Sequence, residues 1–277
     1  MTARCLLMEV RFDSGPAAWL DRLLPALRPL VEAARPESMF TCTPGGRVSR
    51  DRKVKWTTVE EWVAAPTTGT LSMHTYEGAA RRVLSVYLRH KPDSDRRFHA
   101  PAEIWLGAEG AAGDELLQAS DAFLGFATSI PGVLFGGITF VDNLAQAWSE
   151  VTGTSTDIEK QSARFQARHA HDWRLYLDTW TLCRRLYWKT LLGPTLAAAA
   201  GGADAARAAG ALDLRELDGS LLFQAMPGPP RDSLDPEFLA ATTSLRRWLW
   251  PHTFKNPLDA AGFEAEVGLP TPSPTLG

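Results

Sequence analysis

Cysteine is scarce in this 277-residue chain, with only Cys5, Cys42 and Cys183, and no two stand at CxxC spacing. An odd, scattered set of thiols excludes a disulfide-stapled secreted scaffold and a zinc ribbon, and it suits a reducing compartment. Long apolar runs are also missing. No uninterrupted stretch reaches the roughly 20 residues that a membrane-spanning helix needs. The apolar start, "CLLMEVRF", is broken by Glu9 and Arg11, which argues against a signal peptide. A cytoplasmic protein with no membrane partner is therefore expected. Basic excess is absent too. The net charge is −3, which counts against a general nucleic-acid binder, and no nucleic-acid partner is expected.

What is present is the material of a well-packed globular protein: 45% hydrophobic residues and ten tryptophans. Large aromatics fill cores and anchor interfaces. The charge is unevenly spread. From residue 211 onward nine acids face five bases, whereas "RVSRDRKVK" (Arg47 to Lys55) holds five bases and one acid.

Hydrophobic periodicity predicts the elements. "RCLLMEVRFD" reads as a strand. "GPAAWLDRLLPALRPLVEAAR" reads as a helix that Pro25 and Pro29 should kink or split. "TPGGRVSRDRKVK" reads as a polar loop. "TLSMHTY", "RRVLSVYLR" and "AEIWLG" read as three strands of an antiparallel meander. A helix over "GDELLQASDAFLGFATSI", a strand over "GVLFGGITFVD" and a short helix over "NLAQAWSEV" follow. Beyond a polar connector, the longest helix is expected from about Arg164 to Leu192. Its stripe runs through Trp173, Tyr176, Trp180, Cys183, Tyr187 and Leu191. "LDLRELDGSLLFQAM" reads as a hairpin turning at Asp218-Gly219, and "PEFLAATTSLRRWLW" as a final helix. The fold class predicted is α+β, with antiparallel sheet packed against helices and one long helix in the C-terminal half. Residues 1–267 are taken as a single domain and 268–277 as a disordered tail. An organisation into two similar halves, with a boundary near 151–160, stays open.

Chemistry-bearing clusters are few. "HAHDW" places His169, His171 and Asp172 close together. On a helix, however, residues two apart lie about 200° around the axis and cannot share one metal ion. "TDIEK" offers Asp157, Glu159 and Lys160, loosely like a metal-dependent nuclease core, but in a polar connector rather than on an apolar strand. A metal-dependent hydrolase or nuclease using either group is the alternative reading. The basic "RVSRDRKVK" could touch phosphate, but no aromatic platform lies within it. No catalytic residues, no metal and no cofactor are expected.

The C-terminal third carries a resemblance. A tryptophan precedes Leu-Gly (Trp188, Leu192, Gly193), and a glycine pair follows (Gly201, Gly202). A Gly-turn strand pair comes next (Asp218, Gly219, Leu221, Leu222), then a proline-rich loop (Pro227, Pro229, Asp232) and a helix ending at Leu249 and Pro251. In this order the elements resemble a bacterial family of type VI secretion immunity proteins. The sequence departs from that pattern at Ala200 and Arg231. The resemblance spans about residues 180–257. It implies a protein that binds and inactivates a cognate toxin and carries no catalytic residues. With no export signal, the expected partner is a toxin acting in the cytoplasm, a nuclease above all. Basic nuclease clefts attract acidic surfaces. The expected partner-binding residues are Asp213, Glu216 and Asp218 around the hairpin turn, with Asp232 and Asp235 beyond it, all exposed. The oligomeric state is left undefined.

Overall fold

The computed structural model describes residues 5–13, 19–42, 48–50, 52–65, 69–75, 82–88, 102–109, 114–141, 143–144, 186–231 and 235–252. Ten strands form one antiparallel sheet: β1 (Cys5–Phe12), β2 (Ser38–Cys42), β3 (Arg52–Lys53), β4 (Gly69–Thr75), β5 (Arg82–Leu88), β6 (Ala102–Glu109), β7 (Val133–Val141), β8 (Lys189–Leu192), β9 (Leu212–Leu217) and β10 (Ser220–Gln224). Their order across the sheet is β3-β2-β4-β5-β6-β1-β7-β8-β10-β9. β1 therefore lies in the middle, and β3 and β9 are the two edges. Seven helices accompany the sheet among the described residues: α1 (Leu20–Ala34), α2 (Trp56–Ala64), α3 (Asp114–Ala127), α4 (Pro194–Ala199), α5 (Gly202–Ala208), α6 (Pro236–Ala241) and α7 (Thr243–Leu249).

Strand alternation sorts the side chains onto two faces. Leu6, Met8, Val10 and Phe12 of β1 point into a core with Leu23, Leu27 and Leu30 of α1 and Phe123 and Leu124 of α3. Cys5 and Leu7 point to the opposite face. They join a second core with Phe135, Leu192, Leu221 and Phe223, covered by Leu196, Ala206, Phe238, Leu245 and Leu249 from α4 to α7. Burial pushes the Cys5 thiol up to about 12, so it stays protonated and inert.

The expected α+β arrangement with one long C-terminal-half helix is overturned. The architecture is sheet-dominated, and its C-terminal-half helices are six or seven residues long. The proposed helix from Arg164 to Leu192 fails at its described end, where Lys189–Leu192 is a strand paired with β7 and β10. Residues 164–185 lie outside the described residues. The stripe breaks accordingly: Tyr187 joins one core and Leu191 the other. At Tyr187 and Leu191, long-range pairing outweighs the helical period. Gly193 fixes the exit from β8, because a Cβ there would stand 1.7 Å from the carbonyl oxygen of Val133.

Three smaller expectations change. Pro25 and Pro29 do not split α1. Both are exposed, so the carbonyls they leave unpaired face water. The loop reading of "TPGGRVSRDRKVK" misses β3, and α2 follows it directly. The final helix is two, parted at buried Thr242, whose hydroxyl donates to the carbonyl of Phe238 at 2.7 Å.

Candidate functional site

Two strands carry acids and bases at close spacing, and the sheet treats them in opposite ways. In β1, Glu9 and Arg11 are two residues apart and so share a face. Register sets Arg11 opposite Glu103 of β6, and Glu9 opposite Gly137 of β7. Arg11 Nε lies 2.5 Å from Glu9 Oε1 and 3.4 Å from Glu103 Oε1, with Glu9 and Arg11 only 1% and 2% exposed. Tyr187 closes the group by donating its hydroxyl to Glu9 Oε2 at 2.7 Å. Its ring occupies the space a side chain at Gly137 would fill: a Cβ there would meet Tyr187 Cδ2 at 2.2 Å. Thr190 pins the tyrosine, accepting from its N–H at 3.1 Å and donating to its carbonyl at 3.0 Å. The ring also stacks on Phe135, with centroids 5.4 Å apart.

Burial by itself opposes a charge on Arg11, and it is the largest influence there. Glu9, Glu103 and Tyr187 outweigh it and hold the guanidinium above its ordinary range. With a cation and a phenol already directed at it, Glu9 is committed to structure. This row joins the centre of the sheet to the segment entering β8.

The β9–β10 hairpin is the opposite case. Leu217 pairs with Ser220 across Asp218 and Gly219. Both turn residues have positive φ, 51° and 80°, the geometry of a two-residue turn that suits the sheet's twist. A second irregularity lies at Asp213, with φ 47°. Leu222 pairs with Arg215 while Gln224 pairs with Leu212, so β9 uses one residue more than β10. β9 is paired on one side only among the described strands. Asp213, Arg215, Glu216 and Asp218 are exposed, and they form no ion pair among the described residues. Leu212 and Leu217 are 37% and 48% exposed. The edge thus shows water an acidic, partly apolar strip.

Of the five residues expected to bind a partner, Asp213, Glu216 and Asp218 fall together on this strip. Asp235 does not join them as an exposed group. It is half-buried and caps α6, accepting from Glu237 N at 3.0 Å and from Arg231 N at 3.1 Å. Asp232 lies outside the described residues, as do His169, His171, Asp172, Asp157, Glu159 and Lys160. Among the described residues no group of His, Cys, Asp or Glu could hold a metal ion, and no helix is long and apolar enough to cross a membrane. Sequence reasoning passed over the Glu9–Arg11–Glu103 row. Its signal was the i, i+2 spacing of opposite charges within an otherwise apolar strand.

No family model matches the chain, and neither does any curated protein. A solved structure does. The chain is similar to a Pseudomonas aeruginosa type VI secretion system (T6SS) protein, PA0821, with a TM-score of 0.62. The two share a fold. The match covers 91% of this chain and 74% of the other at 16% sequence identity, so it extends through both halves of the sheet and well beyond the C-terminal third.

Proposed function

We propose that this protein is an immunity factor of a type VI secretion system. It binds a cognate effector in the cytoplasm, occludes it, and performs no chemistry on it. The observation that carries the reading is the exposed acidic strip of β9 and its turn, free of ion pairs among the described residues, on a fold shared with a T6SS protein. Acids that pair with no described residue can turn to a partner without first breaking an ion pair, at the cost of desolvation alone. At low ionic strength they steer a basic surface toward them. A nuclease, whose cleft is basic in order to hold nucleic acid, is the effector class this charge fits. The strip has the parts of a steered contact: Asp213, Glu216 and Asp218 for attraction, and Leu212 and Leu217 for apolar contact after encounter. The bulge and the charges on β9 also discourage indiscriminate pairing of this edge with other strands.

The test is co-expression with candidate type VI effector genes found beside this one. Cells carrying Asp213→Lys, Glu216→Lys, Asp218→Lys should lose protection while the protein remains soluble and folded. Full protection would remove the β9 edge from the mechanism.

A further inference from the structure

The basic stretch at the other edge of the sheet has no part in that reading, and the fold gives it what the sequence alone did not. β3 pairs with β2 only at Ser38–Lys53 and Met39–Arg52. Further along, Thr41 and Ser49 hold the two segments together, through Ser49 N to Thr41 O and Thr41 N to Ser49 Oγ, both 2.8 Å. Ser49 to Arg52 is three steps against two from Thr41 to Met39, so the outer segment carries one residue more. Such irregularities re-aim side chains. Beneath it, between β2 and α2, lies a cleft of about 280 Å³. That is just below the roughly 300–1,000 Å³ of typical small-molecule sites, with room for one compact ligand.

The walls of the cleft are chemically divided. Met39 and Trp62 supply an apolar, aromatic surface on the side of α2, while Phe40 alternates to the opposite face of β2, its ring 5.4 Å from that of His74. Thr41, Ser49 and Thr58 supply hydroxyls. Arg52 and Glu61 add one charge of each sign, and neither forms an ion pair among the described residues. Arg50, Lys53 and Lys55 are exposed close by in the chain. The aromatic platform missing from "RVSRDRKVK" is thus provided by Trp62 of α2.

We propose that this cleft binds a guanine nucleotide, its base against Trp62, its phosphate at Arg52, and its Watson–Crick edge at Glu61. The class follows from the donor set. An aromatic wall beside cations suits a base carrying a phosphate. Flipped bases are read in the same way, by stacking and by hydrogen bonds to the Watson–Crick edge. A carboxylate only accepts hydrogen bonds, so it favours the base with neighbouring N–H donors. Guanine presents N1–H beside its 2-amino group. Adenine sets an acceptor, N1, beside its single amino group.

Calorimetric titration of the full chain with GMP, AMP, guanosine and inorganic phosphate at low salt tests this. GMP should bind one-to-one, about tenfold or more tighter than guanosine or AMP, as charge-assisted hydrogen bonds imply. Arg52→Gln should bring GMP down to the level of guanosine. Glu61→Gln should bring GMP and AMP within about twofold of each other, by the same reasoning. Both side chains are exposed, so neither amide variant should shift the melting temperature. Binding of GMP no tighter than inorganic phosphate, equal binding of GMP and AMP to the unaltered chain, or indifference to both substitutions would each overturn the assignment. No effector enters the assay, so its failure and that of the immunity reading are separate results.

Discussion

Strands β1 and β9 carry similar charges and face opposite fates. In β1 an arginine sits among carboxylates at the centre of the sheet, buried, each group held by another. In β9 an arginine sits among carboxylates at the rim, exposed and free of ion pairs among the described residues. Charge on a strand is therefore not informative in itself. Buried charge that is paired with opposite charge belongs to the fold, even though Arg11 Nη2 has no hydrogen-bond partner among the described residues; exposed charge with no ion pair among the described residues is available to a partner.

The comparison can be broken most forcefully at Arg11. Arg11→Leu would leave Glu9 and Glu103 buried without their cation, and breaking a buried pair in this way costs about 3–5 kcal/mol. Thermal or urea unfolding measures it; a loss below about 1 kcal/mol, the scale of exposed pairs, would show that the row is hydrated and that the two strands do not differ in kind. Gly137→Ala is next. Its methyl would collide with the Tyr187 ring, and overpacking of this kind costs about 1–3 kcal/mol. Tyr187→Phe removes one hydrogen bond to a buried carboxylate, worth about 1–3 kcal/mol. Because the alanine methyl displaces the same ring, the Gly137→Ala, Tyr187→Phe double variant should lose less than the sum of the two. Strict additivity in the double-mutant cycle would mean that Gly137 and Tyr187 are not coupled. The smallest change in stability is expected at the rim. The triple reversal of Asp213, Glu216 and Asp218 should move unfolding by no more than about 1 kcal/mol, part of it because Asp213 and Asp218 hold positive φ that lysine accepts less readily. A larger loss would make the acids of β9 structural after all.

How much of this was legible depended on whether the deciding contacts were local. β1, the β4–β5–β6 meander and β7 were readable because each is a run of apolar or alternating residues bounded by turn residues. The hairpin was readable because Asp-Gly accepts two successive positive φ values. β8 was not. Tyr187 and Leu191 fit a helical period, and what makes Lys189–Leu192 a strand is pairing with β7 and β10, distant in sequence. The site divides in the same way. Exposure of Asp213, Glu216 and Asp218 followed from a polar hairpin at the chain's acidic end. Asp235 was misassigned as exposed although Asp-Pro-Glu is a helix-start pattern, with its cap and its proline at the first helical position. The Glu9–Arg11 row needed β6 and the segment before β8 to complete it, and no local pattern shows that.

The most direct test of the central claim is the association rate between this protein and the effector the proposal requires, measured by stopped flow across a salt series with the unaltered chain and the triple β9 reversal. If the exposed acids are the partner's landing site, the unaltered chain associates fast at low salt and slows steeply as salt rises. The reversed chain is then slow throughout, with a flattened salt dependence, while it remains folded and cooperative in thermal unfolding. Equal rates and equal salt slopes for the two proteins would contradict the account, leaving β9 as no more than a solvated edge.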